Sequence, residues 1–115
     1  MKILLIEDIP GIASFIQIGL ESYGHSVDTA SGSINTENLI FSGKYDSIIL
    51  DIEIKGTSGL ELCKRIKTIM RSTPLLILTS IDSVYNIVDV FNTGCSSYII
   101  KPFDFDQLTD WLSRI

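Results

Sequence analysis

KYDSIILDIEIKGTSGLELCKRIK, residues 44–67, holds one complete unit of a fold. Ser47 to Leu50 is a short run of branched apolar residues that stops at the charged Asp51. A run this short and this apolar reads as a strand buried on both faces. Ser58 then caps a helix on which Leu60, Cys63, Ile66, Lys67 and Met70 recur at helical spacing, while Gly56 and Gly59 serve turn and packing. A buried strand that ends on a carboxylate and returns through a helix belongs to a parallel sheet.

Outward from this unit the pattern repeats. Lys2 to Ile6, Pro74 to Leu78 and Ser97 to Ile100 are equally apolar, and His25 to Thr29 alternates as a strand nearer the sheet edge would. Between them, Pro10 opens a helix with Ala13, Ile16, Leu20 and Tyr23 inward, ended by Gly24. Ile34 to Phe41 is a short second helix before Gly43. Val84, Ile87, Val88 and Phe91 form a fourth closed by Gly94, and Asp104 caps a fifth with Leu108, Leu112 and Ile115 inward. Strand and helix alternate five times, which predicts an α/β domain with an open parallel sheet and helices on both faces. With 115 residues, 45% of them hydrophobic, Met1–Ile115 makes one domain, either free-standing or cropped from a longer protein.

The charge balance excludes several roles. Nine basic against 14 acidic residues give a net charge of -5, so broad attraction to nucleic acid or anionic lipid is not expected of this domain. No apolar run reaches the roughly 20 residues of a membrane span, and MKILLIEDIP lacks the marks of a signal peptide, so the expected address is cytoplasmic. Cys63 and Cys95 with a single histidine, His25, make neither a zinc site nor a disulfide framework, and both cysteines read as reduced packing thiols.

In open parallel sheets the chemistry lies at the carboxyl ends of the strands. Here those ends carry Glu7 and Asp8, then Asp51, then Thr79 and Ser80, then Lys101. Three converging carboxylates would repel, by about 3 kcal/mol for a pair about 5 Å apart, so a cation is part of the expectation. All-oxygen ligation suits magnesium or manganese. A carboxylate beside such an ion and a lysine can attack phosphorus, because the cations neutralise the transferring oxygens. The expected product is an aspartyl phosphate.

Glu7-Asp8, Asp51, Thr79-Ser80 and Lys101-Pro102-Phe103 together resemble the receiver domain of bacterial response regulators. The four signals come in order, with gaps of 43 from Asp8 to Asp51, 28 to Thr79 and 22 to Lys101. The resemblance implies a flavodoxin-like, doubly wound sheet of five parallel strands in the order 2-1-3-4-5. It makes Asp51 the acceptor of a phosphoryl group from a histidine kinase or histidine phosphotransfer domain, with a cis Lys101-Pro102 bond aiming the lysine. Asp8 and Asp51 would ligate Mg2+ with the Glu53 main-chain carbonyl, Glu7 acting mainly through water. Thr79 would be the switch hydroxyl, Lys101 the cation on the phosphoryl group, and Tyr98 the aromatic that follows Thr79 inward.

The resemblance also implies two surfaces. A kinase or phosphotransfer helix would dock on Ile12 and Phe15 of the first helix, joined by Pro102 and Phe103. The fourth helix, fifth strand and fifth helix would form the output face, probed by Tyr85, Tyr98 and Trp111, with Trp111 expected off the inward stripe. Winged-helix regulators commonly dimerise through paired charges on this face. Here Asn86, Ser97, Trp111 and Ser113 stand there instead, so a homodimer would be apolar, anchored by Trp111, or absent.

Lys55 stands where a proline is usual, Ser80 where an alanine is usual, and Glu53 and Ile81 occupy places that tune phosphoryl lifetime. Two rivals are an aspartyl-phosphate hydrolase of the haloacid dehalogenase type and a degenerate module that only binds partners. The first uses Asp-x-Asp where this chain has Asp51-Ile52-Glu53, and the second would not need Asp8, Asp51, Thr79 and Lys101 together.

Overall fold

The computed structural model describes residues 1–56 and 58–115, the side chains of residues 33 and 34 excepted. Its elements run β1 (Lys2–Ile6), α1 (Pro10–Ser22), β2 (Ser26–Ala30), α2 (Ser33–Ser42), β3 (Ser47–Asp51), α3 (Gly59–Ile69), β4 (Leu75–Ser80), α4 (Ile87–Phe91), β5 (Ser97–Lys101) and α5 (Phe105–Ser113). All strand pairings are parallel, in the order β2-β1-β3-β4-β5. The strands lie within one or two residues of their expected places.

Alternation along each strand sorts its side chains into two cores. Ile3, Leu5, Ile49, Leu76, Leu78 and Ile99 face α1 and α5, meeting Ile16, Leu20, Leu108 and Leu112. Leu4, Ile6, Ile48, Leu50, Leu75 and Ile77 face the other layer, meeting Ile40, Leu62, Cys63, Ile66 and Val90. The three central strands are apolar between their ends because both of their faces are covered.

Several helix faces differ from expectation. Tyr23 lies just past α1, is exposed, and stacks on Phe105. On α3, Leu62 joins Cys63 and Ile66 inside, while Leu60, Lys67 and Met70 are half-buried. The fourth helix starts late, because the Asn86 side chain accepts from the Val88 N–H and sets its N-terminus. That phase buries Val90 and leaves Val84, Ile87, Val88 and Phe91 exposed. On α5, Trp111 is buried at 8% exposure, one turn from Leu108 and beside Leu112. Ile115 lies beyond the helix end and is exposed.

Two glycines permit close approaches. A Cβ on Gly59 would stand 1.9 Å from the Ile52 carbonyl oxygen, so only glycine lets α3 start directly under the end of β3. A Cβ on Gly19 would stand 2.5 Å from the Phe105 ring, which lies across α1. The cysteines are free, Cys63 buried and Cys95 half-buried. Among the described residues no helix is long and apolar enough to cross a membrane.

Candidate functional site

The carboxyl ends of β1, β3, β4 and β5 bring the predicted polar residues to one edge of the sheet. Asp51 closes β3 and is buried. Its Oδ1 accepts from the Glu53 N–H at 2.9 Å, and its Oδ2 accepts from Lys101 Nζ at 2.8 Å. Lys101 ends β5, followed by a cis peptide bond to Pro102. Thr79 is buried on β4, the strand between those of Asp51 and Lys101.

Glu7 is buried beside Asp51 at 3% exposure, and its Oε1 accepts from the Ile9 N–H at 3.1 Å. Burial first, then its bond to the ionised Asp51, pushes Glu7 up to about 8, so below that pH it holds a proton. Burial alone would raise Asp51 as well. Bonds from Glu7, Lys101 and the Glu53 N–H outweigh it, and Asp51 lies below its ordinary value. Glu7 and Asp51 thus share one proton between them at neutral pH.

Asp8 is placed differently from its neighbour. Its Oδ2 accepts from the Lys55 N–H at 2.9 Å, tying the β1 end to the loop after β3. Among the described residues no three Asp, Glu, His or Cys side chains converge as one ion site. The physical reason is that Glu7 pairs with Asp51 while Asp8 holds a backbone amide.

The donor set nonetheless fits a hard cation. The acidic side chains there, Glu7, Asp8 and Asp51, offer oxygen alone, which suits a hard cation. Ligation by two carboxylates, one carbonyl and waters needs no third side chain.

Sequence reasoning missed one contact. The Glu53 side chain, noted only for its position, accepts hydrogen bonds from Thr79 and from Ser80. The presence of Ser80 where an alanine is usual was the one available signal.

The two predicted surfaces fare unequally. Ile12, Phe15, Pro102 and Phe103 do come together, with Ile16 and Lys101, around an apolar groove of about 440 Å3. On the other face Tyr98 is half-buried and packs edge-on against Phe91. Tyr85 is also half-buried, its hydroxyl accepting from the Gly59 N–H at 3.2 Å. Trp111 lies in the core, so it cannot anchor a contact there.

The family model of the response regulator receiver domain matches residues 3–113. The chain belongs to this family. It is 37% identical to the transcriptional regulatory protein DltR of Streptococcus agalactiae, over all of this chain and 50% of that protein. It spans about half the length of the curated relatives it matches. A two-component response regulator from Clostridium difficile superposes with a TM-score of 0.92 at 31% identity, covering 99% of this chain and 93% of that one. The response regulator TrrA of Thermotoga maritima, solved in complex with Mg2+ and BeF, has a TM-score of 0.83 at 30% identity, covering 98% and 96%. TrrA has also been solved in complex with the histidine kinase ThkA. The receiver is the phosphoacceptor module of two-component signalling, not a metabolic enzyme.

Proposed function

We propose that Asp51 takes a phosphoryl group from a histidine kinase or histidine phosphotransfer domain and that the receiver thereby switches an output. The observation that carries this reading is the Asp51 carboxylate, buried and ionised, bonded to Lys101 beside Thr79. An Asp51 oxygen attacks phosphorus, the phosphorus–nitrogen bond of the donor breaks, and the histidine nitrogen keeps the electron pair. Lys101 holds one phosphoryl oxygen by a charge-assisted bond, and the Thr79 hydroxyl donates to another.

Asp8, Asp51 and the Glu53 carbonyl would hold Mg2+, with Glu7 acting through water and Mn2+ satisfying the same donors. When bound, the ion supplies positive charge to the phosphoryl oxygens.

The groove of Ile12, Phe15, Pro102 and Phe103 suits an apolar helix of the donor, close to the acceptor. The TrrA–ThkA complex supports a kinase partner, and a cytoplasmic address goes with it. The similarity to DltR supports transcription as the output, exerted by parts of the regulator other than this acidic domain. On the α4–β5–α5 face, Ile87, Val88, Phe91 and Ile100 are exposed apolar residues a homodimer would bury.

Acetyl phosphate with magnesium tests the reading. One acyl phosphate per chain, persisting for seconds or longer and lost in Asp51→Asn, is the expected result. Turnover without accumulation would indicate a hydrolase, and no labelling a binding module. Undiminished labelling of Asp51→Asn would remove Asp51 as acceptor.

A further inference from the structure

The Glu53 side chain rests on the donors that a phosphoryl group would need. Its Oε1 accepts from Ser80 Oγ at 2.9 Å, from the Ser80 N–H at 3.1 Å and from Thr79 Oγ1 at 3.2 Å. Its Oε2 is buried, lacks a hydrogen-bond partner, and lies 3.9 Å from Lys101 Nζ. Thr79 and Lys101 are the two groups just assigned to the phosphoryl oxygens. A carboxylate matches those oxygens in sign of charge and as an acceptor. Two anions on one set of donors repel, so they exclude each other.

Ser80 decides where this carboxylate sits. Two of the three bonds to Oε1 come from Ser80, and alanine at that position would keep only the N–H. The pocket beyond is open toward α4, about 300 Å3 lined by Thr79, Ser80, Ile81, Tyr85 and Tyr98. The Glu53 side chain itself is 26% exposed, so a displaced carboxylate can turn out to solvent.

We propose that Ser80 is a positioning residue that parks the Glu53 carboxylate on the phosphoryl-binding donors, making Glu53 an internal competitor that an incoming phosphoryl group must displace. The inference rests on Asp51 being the acceptor. Thr79 is already bonded to an anion before phosphorylation, and the reaction exchanges one anion for another at its hydroxyl.

The test measures the rate of labelling by acetyl phosphate and magnesium for the full chain, across donor concentrations, with thermal melts to verify folding. Glu53→Ala should label about tenfold faster, the scale set by losing hydrogen bonds to a charged group. Glu53→Gln keeps the acceptor oxygen without the charge and should gain less. Ser80→Ala should label about threefold faster, less than Glu53→Ala because the bonds from the Ser80 N–H and Thr79 remain, and Ser80→Thr, which keeps a hydroxyl, should label at the original rate. In the Glu53→Ala background, Ser80→Ala should add nothing, because Ser80 acts only through Glu53. An equal gain from Ser80→Ala with and without Glu53, or no gain from Glu53→Ala, overturns the proposal. If the unaltered chain takes no label, or Asp51→Asn takes it equally, the acceptor reading fails and the competitor falls with it.

Discussion

Helices α4 and α5 flank the same strand, yet they are held by different forces. Helix α5 begins with the Gln107 side chain accepting from the Asp104 N–H and sinks Leu108, Trp111 and Leu112 into an apolar core. Helix α4 is five residues long and buries only Val90, while Phe91 rests edge-on against Tyr98 of β5. Its approach loop is tied instead by polar bonds, the Ser80 hydroxyl donating to Glu53 at one end and the Gly59 N–H donating to the Tyr85 hydroxyl further on. Apolar burial has no second partner to switch to, whereas a hydrogen bond can be exchanged for another. The difference sets an expectation about which side of β5 can respond to chemistry at Asp51: α4, which buries one side chain, rather than α5, which buries three.

The largest expected effect comes from cutting into the α5 core. Trp111→Ala should destabilise the domain by about 3–5 kcal/mol, as large-to-small changes at buried aromatic positions do. Val90→Ala, the corresponding change on α4, should cost about 2 kcal/mol, the value of burying one valine. Urea unfolding of both variants measures the ratio. Equal losses would mean that α4 is as firmly packed as α5 and would end the contrast.

The pH-sensitive charge lies at the end of β1, beside Asp51. Glu7 titrates near its usual 4.5 when unfolded and at about 8 when folded. Between those values the native state binds more protons, so its contribution is full below 4.5 and is lost as pH rises toward 8. Asp51 acts oppositely, since its lowered value gives stability at neutral pH that is lost when acid protonates it. Metal-free protein should therefore lose stability from pH 5 to 8, by about 1.4 kcal/mol for each unit of pH where Glu7 alone governs the slope. Glu7→Gln should flatten that slope and melt higher than the unaltered chain at pH 8. An unchanged slope would place the titrating group elsewhere.

The deeply buried side of this comparison was easier to read from sequence than the α4 side. The strands were legible because both faces of the inner three are covered, which leaves near-continuous apolar runs. Their polar ends then located Asp51, Thr79 and Lys101 without any side-chain geometry. Trp111 was misplaced because Leu108, Leu112 and Ile115 make an equally regular stripe, and only the helix end at Ser113 rules out Ile115. The phase of α4 was illegible for a related reason. Five helical residues cannot define a stripe, and the Asn86 cap that sets the phase depends on where the loop ends. Contacts between loops, such as Asp8 with Lys55 and Glu53 with Ser80, leave no periodic trace in the chain.

Tyr85 offers the finest cut at the α4 side. Its hydroxyl accepts from the Gly59 N–H at 3.2 Å, linking the α4 approach loop to the start of α3. Tyr85→Phe keeps the ring packed on the Leu62–Val90 core and removes only that acceptor. The loss should be about 1 kcal/mol, the net value of one neutral hydrogen bond. If this bond is one of the ties that hold α4, the loss should be local: amides of residues 86–92 should exchange hydrogen faster, while those of α5 keep their protection. Faster exchange across both helices would instead show that the two flanks of β5 unfold together, and the distinction between the two helices would fail.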